Sequence, residues 1–151
     1  MNTTKTNNHS AQNRADKHAA EPYAVLSEEN TVLTFYYDDQ REVRNGYGIV
    51  PFNEYDEPWG GHLLEIKTVL FDNTFAACTT ITSTAYWFAQ CIQLTTIIGL
   101  KLLNTSNVTD LQGMFMGCSA LICLDVSGFA THNVTDMSQM FCDCEKLTSS
   151  L

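Results

Sequence analysis

Six cysteines and four histidines are the side chains of this 151-residue chain best suited to nucleophilic or metal chemistry. A zinc site wants two close pairs of such ligands, typically at C-x2–4-C spacing. The close cysteine pairs are Cys118/Cys123 and Cys142/Cys144, which do not supply two pairs of that kind. Among the histidines, His9 and His18 sit in a polar lead-in, while His62 and His132 fall in predicted loops far apart in sequence. A Cys144–His132 dyad is conceivable, but the regular recurrence of Cys144 described below explains that residue more simply. No H-E-x-x-H, G-x-S-x-G or G-x-x-x-x-G-K-[ST] pattern occurs. The expectation is a non-catalytic protein with no metal and no cofactor.

Carboxylates offer a second chemistry. Asp110 and Asp136 recur at one repeat's distance, and Asp125 lies in a predicted strand. A column of carboxylates could hold Ca²⁺, which takes about six to eight oxygen ligands. Capping of a helix N-terminus accounts for the first two without a metal. The aromatics Tyr36, Tyr37, Tyr47, Tyr55 and Trp59 could form a recognition patch, although such residues more often pack a terminal cap.

These residues are positioned by an internal repeat. Asn107-Val108-Thr109-Asp110-Leu111-Gln112-Gly113-Met114-Phe115 returns 26 residues later as Asn133-Val134-Thr135-Asp136-Met137-Ser138-Gln139-Met140-Phe141. A fainter copy runs from Thr80 to Phe88, 27 residues upstream of the first. Each copy is followed by the same punctuation, so Phe88, Phe115 and Phe141, Cys91, Cys118 and Cys144, and Leu94, Leu121 and Leu147 form three columns. These nine residues are read as a structural ladder. The simplest state of the cysteine column is a row of buried thiols, since free cysteine behaves as a small hydrophobe. Neighbouring rungs about 4.8 Å apart would also be within disulfide reach.

Within each unit, Val134, Met137, Met140 and Phe141 fall at i, i+3, i+6 and i+7, the spacing of one helix face. That pattern predicts a short helix, capped by Asn107 or Asn133. The runs Leu94–Ile98 and Ala120–Val126 then read as strands. A unit of helix, bend and strand cannot bury its apolar face alone, and stacking supplies the core. The predicted fold class is therefore mixed β/α: a leucine-rich-repeat solenoid, short helix plus strand per repeat, behind an N-terminal β-hairpin cap. The domain reading is a disordered polar lead-in at 1–22, a β-rich cap region at 23–79, and repeats at 80–151 with the last one incomplete. The hairpin is placed at 23–27 and 31–37, and a third strand at 66–71.

The unit resembles that of the BspA-like leucine-rich-repeat surface proteins, N-V-T-D-M-x-x-M-F-x-G-C-x-x-L-x-x-L-D-L-S-x-F-x-T. Residues 107–131 match nearly throughout, with Leu111 for Met and Val126 for Leu. The resemblance implies a cell-surface or secreted bacterial protein engaged in adhesion to a protein or glycan ligand, without catalysis. The strand face would carry the ligand, with Thr95 and Asp125 as candidate contacts. The alternative is a structural spacer, or a fragment of a larger repeat protein, with no ligand of its own. Self-association through an uncapped C-terminal end is a further expectation.

Composition narrows the partners. The net charge is −9 with only 8 Lys and Arg, which leaves no basic footprint for phosphates. Nucleic acid is not an expected partner. No apolar run reaches the length of a transmembrane helix, and no signal peptide is visible in this chain.

Overall fold

A computed structural model describes residues 18–148. The polar lead-in predicted at 1–22 lies outside the described residues as far as 17, and its last two residues, Glu21 and Pro22, open the first strand. Strands β1 (Glu21–Ser27) and β2 (Val32–Asp38) pair antiparallel as a hairpin. Its turn uses three successive left-handed residues, Glu28, Glu29 and Asn30, closed by the Thr31 N–H on the Glu28 carbonyl at 3.1 Å. The two-residue β3 (Tyr47–Gly48) lines the outer edge of β1.

On the other side the direction of pairing changes. Strands β4 (Thr68–Phe71) and β5 (Thr96–Ile98) join parallel, giving one mixed five-stranded sheet in the order β3-β1-β2-β4-β5. Alternation along β2 and β4 sends Leu33, Phe35, Val69 and Phe71 inward, the two-residue period of a strand. Phe35 is the centre of an aromatic core: its ring stacks on Phe71 at 4.7 Å and on Trp87 at 5.0 Å, and meets Trp59, Phe75 and Phe88 edge-on. The Trp59 indole N–H donates to the Trp87 carbonyl at 2.7 Å, fastening the Pro58–Gly61 turn to the first repeat copy.

The predicted fold class is corrected here. The protein is not a helix-plus-strand leucine-rich-repeat solenoid: its strands form the single mixed sheet, and no helix of seven residues or more occurs among the described residues. The cause is backbone geometry inside each copy. Tyr86, Gly113 and Gln139 hold positive φ of 59°, 56° and 57°, and Gln90, Gly117 and Asp143 do so four residues on. A continuous α-helix needs every φ near −63°. Residues with the apolar spacing of a helix therefore form linked turns instead, such as Trp87 N–H to Thr84 O, Ala89 N–H to Tyr86 O and Cys91 N–H to Phe88 O.

The aspartates start these turns. The Asp110 carboxylate accepts the Gln112 N–H at 2.8 Å, Asp136 accepts Ser138 N–H at 2.8 Å, and Ser83 Oγ accepts Ala85 N–H at 3.2 Å. Each is a side chain closing a turn on the backbone two residues ahead, a known competitor of helix formation. Among the described residues, Asn107 and Asn133 accept no capping bond; their amides donate across to Thr79 O and Ser106 O, one copy back.

The N–H groups between turns point to the next copy. Tyr86, Phe88 and Gln90 donate to the carbonyls of Gln112, Met114 and Met116. Leu111, Gly113, Phe115 and Gly117 donate to those of Asp136, Ser138, Met140 and Cys142. The three copies are thus bound in parallel through Ser83, Asp110 and Asp136.

Candidate functional site

The cysteine column stands inside this stack. Cys91 and Cys118 are fully buried and Cys144 half-buried, and all six cysteines are free thiols. Cys118 Sγ donates to the Phe88 carbonyl at 3.2 Å and Cys144 Sγ to the Phe115 carbonyl at 3.0 Å, each one copy back. Burial pushes the Cys118 thiol up to about 12, with the neighbouring Cys144 adding to the rise. Burial likewise holds Cys91 well above the ordinary thiol range and raises Cys144. A thiol must ionise to attack or to bind metal. Cys118 and Cys144 are instead weak hydrogen-bond donors that tie one copy to the previous one, and Cys91 is packed in the core.

The companion columns are similarly internal. Phe88, Phe115, Leu94 and Leu121 are buried, Phe115 lies between Phe88 and Phe141, and Leu147 is half-buried. His62 meets Glu65 at 3.4 Å, and His132 is exposed. Among the described residues, no three His, Cys, Asp or Glu side chains converge as a metal-binding group. The predicted aromatic patch is dispersed: Trp59 is core, Tyr36 lies under Arg44 at 4.3 Å, and Tyr55 is exposed. Tyr23 anchors that corner through Asp38 at 2.6 Å.

A concave feature on the strand side lies at a break in the ladder. Thr95 N–H donates to Lys67 O at 3.0 Å, and Thr148 N–H donates to Ile122 O at 2.8 Å. Between these rungs, among the described residues, no backbone hydrogen bond joins β5 to residues 122–126. The predicted strand at 120–126 is accordingly not one, whereas Leu94–Ile98 contains β5.

The two units also differ in length by a single residue here. Eight residues separate Leu94 from Leu103, but seven separate the equivalent Leu121 and Phe129. The extra residue is taken up where Gly99, at φ 79°, turns into the short 3-10 segment Leu100–Leu102. A Cβ on Gly99 would lie 2.7 Å from the Phe71 carbonyl oxygen, so this turn demands glycine.

The parted rung leaves an open groove of about 330 Å³ lined by Ile97, Gly99, Leu100, Lys101, Cys123, Leu124 and Asp125. Asp125 is exposed and its carboxylate accepts the Ser127 N–H at 2.9 Å; hydrogen bonds from Ser127 hold its pKa below the usual value. It is therefore a fixed anion at neutral pH. Lys101 contributes the opposite charge, and the aliphatic side chains give an apolar floor. Such a site can receive a ligand with both polar and apolar faces.

Of the two strand-face candidates, Asp125 lies in the groove and Thr95 does not. The Thr95 hydroxyl turns to the Lys67 carbonyl at 3.4 Å and to Thr96 at 3.3 Å. Gly99 and Lys101 carry no motif in the sequence, and Cys123 stands out there only as half of a close cysteine pair. The 27-against-26 spacing was the signal that could have found them.

A family described as "Mycoplasma protein of unknown function, DUF285" has a model that matches residues 71–151. No curated protein and no solved structure matches the chain.

Proposed function

Taking as premise that the chain belongs to the DUF285 family, whose model spans just over half of it, we propose that this protein is a non-catalytic surface protein that binds a protein or glycan ligand. The observation that carries the reading is the groove between β5 and residues 123–125, where Lys101 and Asp125 frame an apolar floor. The chemistry of the chain points the same way. Its columnar thiols are held protonated, and its repeated aspartates are occupied in closing turns. The BspA-like character of residues 107–131 supports placement at the cell surface, and an acidic chain favours ligands that are neutral or basic.

Binding of the full chain to a panel of immobilised oligosaccharides and extracellular-matrix proteins tests the ligand reading. The expected result is a saturable signal that Asp125→Lys and Lys101→Glu reduce at least about tenfold, a loss of roughly 1.4 kcal/mol. Signals that survive both exchanges would remove the groove from the reading. Protease shaving of intact source cells tests the location: peptides from residues 23–151 should be released before lysis.

A spacer reading is favoured by a different observation. The three copies are mutually bonded through backbone groups, and the columns of the first two copies are buried. It predicts no ligand in the panel and no effect of the two exchanges.

A further inference from the structure

The groove lies along an unpaired edge inside the sheet. On one side β5 is bonded parallel to β4. On its other side, among the described residues, no backbone hydrogen bond joins it to residues 122–126. Rungs are made before and after this gap, Thr95 N–H to Lys67 O at 3.0 Å and Thr148 N–H to Ile122 O at 2.8 Å. The Ile122 N–H would have to reach the Thr95 carbonyl to close the middle rung, and it does not. At the 27-residue spacing, Thr96, Ile97 and Ile98 correspond to Cys123, Leu124 and Asp125. The groove therefore parts residues that a continuous ladder would pair, and Ile97, Cys123, Leu124 and Asp125 line it.

We propose that the ligand of this groove is an extended polypeptide segment that pairs through its main chain with the free edge of β5. This rests on the groove being the ligand site, and adds the class of ligand.

The lining selects that occupant. A strand edge presents N–H donors and carbonyl acceptors at a two-residue period, which another polypeptide main chain matches. Ile97 and Leu124 pack onto the core, and Leu100 joins them in an apolar floor. That floor suits the side chains that every second residue of an extended segment turns to one face. The lining carries no aromatic ring on which the face of a sugar could stack. With three residues in β5, the paired stretch is about 10 Å long. Asp125, exposed beside the floor, calls for a basic residue at one end of the segment, in keeping with an acidic chain.

Cys123 reports occupancy, because its thiol is exposed in the groove wall, whereas the exposed Cys142 does not line the groove. The full chain, its thiols reduced, is panned against a phage-displayed library of random heptapeptides, and the enriched sequences are synthesised as probes. At saturating peptide, alkylation of Cys123 by N-ethylmaleimide should slow by at least about tenfold, with Cys142 unchanged. Methylating the probe's backbone nitrogens one at a time should weaken protection about tenfold at alternate positions and little between them. Peptides enriched on the Asp125→Lys chain should lose the basic residue. Enriched peptides that leave Cys123 at its free rate, or protection indifferent to every N-methyl group, overturn the proposal. Protection by an oligosaccharide of the binding panel and by no peptide overturns it as well, while leaving the groove as the ligand site. Protection by neither class removes the groove reading along with it.

Discussion

Phe141 lies flat over Phe115, ring centroids 5.8 Å apart and planes within 5°, so that one phenyl ring is the roof of the other. Phe115 is sealed between Phe88 and Phe141, whereas Phe141 has a covered side and an open one. The same residue in the same repeat position thus carries two energetic weights.

Phe115→Ala should destabilise the protein by about 3–5 kcal/mol, the usual cost of emptying a closed aromatic site. Phe141→Ala should cost less than about 2 kcal/mol, because much of its ring is already in water. Urea unfolding of the two variants measures the difference, and equal losses would contradict the stacking order.

The two buried tryptophans should also separate. Trp59 uses its indole N–H on the Trp87 carbonyl, whereas the buried Trp87 indole N–H has no partner among the described residues. Replacing each by Phe removes similar area, but only Trp59→Phe breaks a hydrogen bond. Trp59→Phe should be the more damaging by about 1–3 kcal/mol, read as the shift in urea midpoint at unchanged slope.

Thiol accessibility gives a third check. Cys123 and Cys142 are exposed, while Cys78, Cys91 and Cys118 are buried. Alkylation of the native protein at pH 8, mapped by mass spectrometry, should label the exposed pair first and leave the buried three until unfolding. The Asp143 carboxylate raises the Cys142 thiol above its ordinary value, so its labelling should accelerate as pH rises past neutrality. Early labelling of Cys91 or Cys118 would refute the burial of the column.

Alkali should loosen the hairpin corner. Burial pushes the Tyr23 hydroxyl up to about 12, and its hydrogen bond to Asp38 adds to the rise. The unfolded chain holds that proton less tightly, with a phenol near 10. The contribution of Tyr23 is therefore complete below about pH 10 and is lost as pH climbs from there through about 12. Tyr23→Phe should flatten that limb of the stability-against-pH curve, measured by thermal unfolding at a series of alkaline pH values.

Much of this architecture is legible in the sequence, and the departures from it have a common origin. The apolar runs flanking Glu28–Asn30 read as a hairpin and pair as one, and the run at 66–71 contains β4. The columns of Phe, Cys and Leu read as stacked, and Phe88, Phe115 and Phe141 do meet ring to ring. What misled was the spacing of Val134, Met137, Met140 and Phe141. A chain of linked turns with a left-handed residue every four positions also returns side chains to one side after three and four residues. Gly113 and Gly117 hinted at this, but Tyr86, Gln90, Gln139 and Asp143 hold the same conformation without glycine, which residue type alone does not reveal. In the groove, Asp125 was visible as a strand-face residue, but Lys101 and Cys123 became relevant only through the parted rung.

The extra residue before Leu103 has a genetic reading. Each unit is held to its neighbours by backbone groups, so duplicating a whole unit adds a floor without disturbing the rest. A single additional codon in one unit does something different: its residue is taken up at the Gly99 turn, which lines the groove, so it alters the wall of that recess rather than the number of units.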